Sequence, residues 1–170
     1  EKGVLSYYGK KVRDSKRGGY GKISIARAFE VSSNTGIVKA IHGAYKDNPE
    51  KFVDGLYRMN LQNSLELPLI GEGLSIIPDP RIKNGRWSGI ALEWMAYGYG
   101  VSFTPLQTLT FYNAIANGGV MVRPKFLREI KEIDASIETF ETEVINPQIC
   151  SKETVLKLQQ LLKNVVQKEH

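Results

Sequence analysis

Between Asn60 and Trp94 the chain carries Pro68, Pro78 and Pro80 together with Gly71, Gly73, Gly85 and Gly89. Proline has no amide hydrogen to give a helix or a ladder, and an interior glycine costs a helix about 1 kcal/mol. Long regular elements are therefore excluded from this stretch. The spacing predicts a long structured loop, a kind that more often builds or covers a functional surface than lies idle.

Regular structure is left to the flanking blocks. Residues 4–23 alternate short apolar and charged groups around Gly9, Gly18, Gly19 and Gly21, which suggests one or two irregular strands. Ser24 is placed as the N-cap of a short helix through Ile25, Ala28, Phe29 and Val31. A second helix after Asn34 sets Ile37, Ala40, Ile41, Ala44 and Tyr45 on one stripe. A third begins with Pro49 at N1 and buries Phe52, Val53, Leu56 and Tyr57. Downstream, Thr104-Pro105-Leu106-Gln107 spells a capping box, opening a helix through Leu106, Leu109, Ala114 and Ile115 that Gly118 and Gly119 stop. A ribbon over Val120–Ile133, broken at Pro124, is expected to pair with Ile137–Ile145. Ser151 caps a last helix with Val155, Leu158, Leu162 and Val165 on one face.

One domain with a real core fits 170 residues, 42% of them hydrophobic and 24% charged. The excess of 23 Lys and Arg over 18 Asp and Glu is partly carried by Lys10, Lys11, Arg13, Lys16, Arg17, Lys22 and Arg27. These lack interleaved stacking aromatics, so they read as a solvated face and not as a nucleic-acid patch. Cys150 stands alone, which excludes an intrachain disulfide, and His42 and His170 offer no zinc spacing. Gly18-Gly19-Tyr20-Gly21-Lys22 is no phosphate loop, because Ile23 stands where Ser or Thr is needed. No apolar run is long enough to span a membrane, and no signal peptide opens the chain. The abrupt start at Glu1 and the end on a helix in progress suggest a piece of a longer protein.

The polar junction between the first two helices is Ser32-Ser33-Asn34. On a helix, residues two apart diverge by about 200°, but in a turn or extended segment they point to one side. A hydroxyl and a carboxamide can thus enter one groove, the first to shuttle a proton and the second to orient an amide. The bland alternative is helix capping, which Ser and Asn both favour.

Phe29-Glu30-Val31-Ser32-Ser33-Asn34-Thr35-Gly36 resembles the second active-site motif of class B penicillin-binding proteins. Tyr97-Gly98-Tyr99-Gly100 followed by Thr104-Pro105-Leu106-Gln107, then Asn113-Ala114-Ile115-Ala116-Asn117-Gly118-Gly119 and Pro124, is similar to their glycine-tyrosine turn and the helix after it. Gly71-Glu72 and Trp87-Ser88 fit the same order, so the likeness covers roughly residues 12–168. Within that family the residues resemble the division- or elongation-specific D,D-transpeptidases. The resemblance implies a mainly α fold with a few short strands (α+β), part of the penicillin-binding transpeptidase and serine β-lactamase-like architecture. The whole chain, 1–170, would be the central segment of that domain.

What the resemblance implies for the site is specific. Ser32 is a proton relay and Asn34 an amide clamp, both catalytic, with Ser33 the permissive residue between them. Ser33, Gly98 and Gly100 would support the substrate groove, the two glycines as backbone-angle or packing residues. Thr104 and Gln107 are a folding device, and Trp87 and Trp94 are core or subdomain-contact residues. The family's nucleophile and base lie in S-x-x-K, and its carboxylate-binding strand in K-[ST]-G. Neither occurs here: Ser24 meets Arg27 at the third position, Ser32 meets Thr35, and Ser151 meets Thr154. A serine without a base is a weak nucleophile, so this chain by itself should be inactive. Implied partners of the parent are the D-Ala-D-Ala stem peptide, β-lactams and other wall-synthesis or division proteins. No cofactor, metal or nucleic acid is implied. The parent would be anchored in the cytoplasmic membrane with this domain outside, and the segment, soluble by itself, would self-associate through bare apolar surface. Rival readings are a D,D-carboxypeptidase, a β-lactamase, a β-lactam sensor or a non-catalytic scaffold. Glu66-Leu67-Pro68-Leu69-Ile70 is a poor match to the β-lactamase E-x-x-L-N, ending on Ile.

Overall fold

The computed structural model describes residues 2–83, 86–133 and 135–167, so Gly85 and His170 lie outside the described residues. A hairpin, β1 (Val4–Tyr7) and β2 (Lys10–Arg13), turns through Tyr8 and Gly9, both at positive φ. Three helices follow: α1 (Ile25–Glu30), α2 (Asn34–Tyr45) and α3 (Pro49–Arg58). After the long loop come α4 (Ala91–Ala96) and α5 (Pro105–Ala116), then β3 (Met121–Val122), β4 (Glu129–Glu132), β5 (Ala135–Thr139), β6 (Val144–Asn146) and α6 (Lys152–Gln167). β3 pairs with β6 and β4 with β5, both antiparallel, so the described strands form three separate two-stranded sheets. This is the expected mainly helical α+β architecture, with the downstream ribbon and its partner both present.

The end of the loop and the inward face of α5 differ from the sequence reading, and on α2 the buried residues are Thr35 and Val38, off the expected stripe. The loop ends at Ile90, four residues earlier than expected, because α4 starts at Ala91. That helix buries Ala91, Leu92, Glu93 and Met95 on successive faces and has no side-chain cap, so it shows neither a stripe nor a start signal. On α5, Leu109 is 62% exposed while Gln107 and Thr110 are buried. The inward face is polar because Gln107 Nε2 donates to Asn63 O at 3.2 Å and Ser75 Oγ at 2.8 Å, pinning the loop. The capping box is complete: Gln107 N donates to Thr104 Oγ1 at 3.1 Å and Thr104 N to Gln107 Oε1 at 2.8 Å.

One core cluster joins Ala114 and Ile115 of α5 to Met121 and Ile149, with Leu158 and Leu162 of α6 packed on it and half-buried Cys150 at its edge. Trp87 and Trp94 are both half-buried. The chain nonetheless leaves 11366 Å² accessible, against about 8400 Å² for a compact globule of its mass. Ile70, Leu74 and Ile133 are among the apolar side chains left in water.

The loop is clipped to α3 by Asp79, which is 2% exposed. Asp79 accepts from Arg81 Nε at 2.9 Å and Nη2 at 2.8 Å, and from the Tyr57 hydroxyl at 3.1 Å. The Arg81 guanidinium lowers its carboxyl pKa from the ordinary 3.8 to about 2. A depressed carboxyl stabilises the fold above the unfolded pKa, and that contribution disappears as pH falls through the folded one. Denaturant titrations between about pH 6 and pH 2 should therefore show roughly 2 kcal/mol lost below about pH 4. Asp79→Asn should start less stable and lose less across that window; an unchanged profile would count against the clip.

Candidate active site

The site begins with how α1 ends. Val31 is its C-cap, and Ser32 then takes a left-handed φ of 51°. Ser32 N donates to Phe29 O at 3.1 Å and Ser33 N to Ala28 O at 2.8 Å. Those two bonds define a Schellman cap with Ser32 at its left-handed position. The same cap closes α3 at Asn60, where Asn60 N donates to Tyr57 O at 2.9 Å and Leu61 N to Leu56 O at 3.2 Å. It closes α4 at Gly98, where Gly98 N donates to Met95 O at 3.0 Å and Tyr99 N to Trp94 O at 2.9 Å. Left-handed backbone suits Gly and is tolerated by Asn, but costs another L-residue about 1–2 kcal/mol. Ser32 is the residue of the wrong type in this series. Its side chain is exposed and has no hydrogen-bond partner among the described residues.

Ser33 is not a permissive spacer. It is 2% exposed and is the N-cap of α2, its Oγ accepting from Gly36 N at 3.0 Å and donating to Asp14 Oδ1 at 3.1 Å. Asn34, which could have been the cap, is instead the first residue of α2. Its Nδ2 donates to Arg13 O at 2.8 Å, which fixes the carboxamide plane. Thr35 is fully buried and gives Asp14 two more bonds, N to Oδ1 at 2.9 Å and Oγ1 to Oδ2 at 2.7 Å. The turn between helices is tight because a Cβ on Gly36 would stand 2.6 Å from the Ala28 Cβ.

Asp14 is the residue sequence reasoning missed. It was one residue in a basic run, yet it is the sole acid between Lys2 and Phe29, and that isolation was the available signal. The second omission is His42, whose Nδ1 lies 2.6 Å from Oε1 of Glu93, a residue 1% exposed. This pair joins α2, which opens on Asn34, to α4, whose C-terminal cap is closed by Gly98. Gly98 and Gly100 have φ of 87° and 82°, and a Cβ on either would touch nothing within 4 Å. They are backbone-angle glycines, not packing ones. The turn they form is lined by stacked Tyr97 and Tyr99, with Trp94 edge-on to Tyr99. Glu66 is held on the surface by Arg123 at 3.0 Å. Among the described residues no group of His, Cys, Asp and Glu could hold a metal ion. A cavity of about 390 Å³ between α1 and α2 is lined by Ser24, Ala28 and Gly36 but by neither Ser32 nor Asn34.

A sequence model of the "Penicillin binding protein transpeptidase domain" matches residues 2–170. The chain belongs to the penicillin-binding transpeptidase family. PbpB of Mycolicibacterium smegmatis is 28% identical over 167 residues, 98% of this chain and 24% of that protein. The peptidoglycan D,D-transpeptidase FtsI of Escherichia coli is 30% identical over 112 residues, 66% of this chain and 18% of its own length. Penicillin binding protein 3 of Mycobacterium tuberculosis superposes with a TM-score of 0.75 at 28% identity, covering 97% of this chain and 35% of that one. That protein is also known in complex with aztreonam and with ampicillin. This transpeptidase-family chain spans about a quarter of the length of PbpB and of the Bacillus subtilis stage V sporulation protein D that it matches. No described helix is long and apolar enough to cross a membrane.

Proposed function

We propose that the chain supplies the middle motif of a peptidoglycan D,D-transpeptidase. The observation that carries this reading is Ser32: an exposed hydroxyl without a partner among the described residues, in a backbone conformation that favours another residue type, one position from a buried cap and two from an oriented carboxamide. Strain of this kind persists where the surroundings over-determine it, and it clusters at functional sites.

In the proposed reaction a serine nucleophile from elsewhere in the parent attacks the penultimate D-Ala carbonyl, and its lysine neighbour takes the hydroxyl proton. The tetrahedral centre collapses, the C–N bond breaks, and the nitrogen of the departing D-Ala takes a proton from Ser32, which recovers one from the lysine. Asn34, held by Arg13 O, pairs with the substrate's backbone amide and fixes the scissile bond against the nucleophile. The acyl-enzyme is then resolved by an amine from a second stem peptide. A β-lactam follows the same first half, except that its ring nitrogen stays attached and blocks the second. The bare apolar surface is where we place contacts with the rest of the domain, outside the cytoplasmic membrane and among the wall-synthesis and division proteins.

Fluorescent penicillin tests this reading. It should label the full-length protein covalently and leave residues 1–170, expressed alone, unlabelled. Label on the isolated segment would overturn the assignment of Ser32 as relay instead of nucleophile, and no label on the full-length protein would overturn the transpeptidase reading itself.

A further inference from the structure

Asp14 directly follows β2 and lies against the S-x-N loop, where its carboxylate receives three bonds from Ser33 and Thr35, the two residues that flank Asn34: Ser33 Oγ, Thr35 N and Thr35 Oγ1. We propose that Asp14 is a positioning residue for acyl transfer, holding Ser32 and Asn34 in working geometry without touching substrate. The inference rests on the transpeptidase reading above.

Three observations carry it. First, Asp14 consumes the Ser33 hydroxyl proton while the Ser33 oxygen caps Gly36 N, so of the two adjacent serines only Ser32 keeps a free hydroxyl. Second, the residue before Asp14 provides the carbonyl that takes Asn34 Nδ2, so one strand end fixes both the loop backbone and the carboxamide. Third, that strand end is itself braced. Asp14 N donates to Gly3 O at 3.0 Å, and Gly3, at φ 72°, lies so close to Gly19 that a Cβ there would stand 2.6 Å from Gly19 N. Ser32 in the left-handed region would shed strain by relaxing; anchoring Ser33 and Thr35 immediately downstream blocks that route. At Gly98 the equivalent cap has no strain to resist.

The bland account is that a carboxylate at the start of α2 is only a helix-terminus charge. Such a charge alters stability but not the rate of the folded enzyme. The test uses the full-length protein and measures three quantities for each variant: melting temperature, pre-covalent penicillin affinity, and the acylation step per mole of folded protein. Asp14→Ala should slow the acylation step about 10- to 100-fold, as a misplacement on the order of an ångström does, with affinity within about twofold of wild type. Asp14→Asn keeps an Oδ1 acceptor and should recover most of that rate. In an Asn34→Ala background, Asp14→Ala should cost clearly less than in the wild type, because the part of its effect that acts through Asn34 is already gone and only the part through Ser32 remains. If Asp14→Ala does not fold, Thr35→Val removes one clamp bond and should slow acylation several-fold by the same logic. Wild-type acylation in folded Asp14→Ala or Thr35→Val, or losses that multiply in the double variant, would overturn the inference. A wild-type protein that takes no label fails the transpeptidase reading instead, before any variant is compared.

Discussion

Ser32→Ala in the full-length protein is expected to slow β-lactam acylation by about 10²–10⁴-fold, the usual span for losing a positioned proton-transfer group. Stability should hold, because Ser32 makes no side-chain bond among the described residues and Ala in a left-handed conformation is strained by a similar amount. Ser33→Ala should behave in the opposite way. It removes the α2 cap and one Asp14 bond, costing roughly 1–2 kcal/mol of stability, with a smaller loss of rate. The pairing is diagnostic: adjacent, chemically identical side chains separate into a rate effect and a stability effect. Labelling time courses beside melting curves read both. Ser32→Ala that acylates at the wild-type rate sinks the relay assignment.

The largest stability effect is expected at Glu93. Its carboxylate is inside the fold, one oxygen 2.6 Å from His42 Nδ1 and the other without a partner among the described residues. Glu93→Ala leaves a cavity and strands the imidazole, which also packs 4.6 Å from the Tyr7 ring. The cost should be about 3 kcal/mol, or roughly 6–12 °C in melting temperature for a chain of this size. The orphan oxygen makes a second expectation specific. A half-satisfied polar pair is a poor stabiliser compared with apolar residues of similar shape, so His42→Phe with Glu93→Leu should recover most of the loss. Thermal unfolding of the two singles and the double decides it. If Glu93→Ala costs no more than a surface change, the pair is not holding α2 to α4.

What was legible in the sequence was whatever a local rule could write. Thr104 and Gln107 form the box their spacing predicts, Ser24 and Ser151 cap as expected, and Pro49 opens α3. The S-x-N residues lie at the helix junction assigned to them. Tertiary bonds were not legible. Asp14 lies 21 residues from Thr35, and Glu93 lies 51 from His42. α4 stayed hidden because burial on successive faces erases the periodicity that reveals a helix. The role of Ser33 was not legible for a related reason: a motif written S-x-N treats the middle position as free, whereas here capping α2 needs an oxygen on that side chain.

The left-handed backbone at Ser32 also narrows what can replace it. Threonine carries the same hydroxyl with a similar pKa, and on most surfaces the exchange is mild. At φ 51° it is not, because a second branch on Cβ crowds the backbone where even an unbranched side chain is already strained. Glycine and asparagine would fit the backbone but bring no hydroxyl. Of the two small hydroxyl side chains, conformation and chemistry together favour serine, and the helix end thus acts as a filter between them.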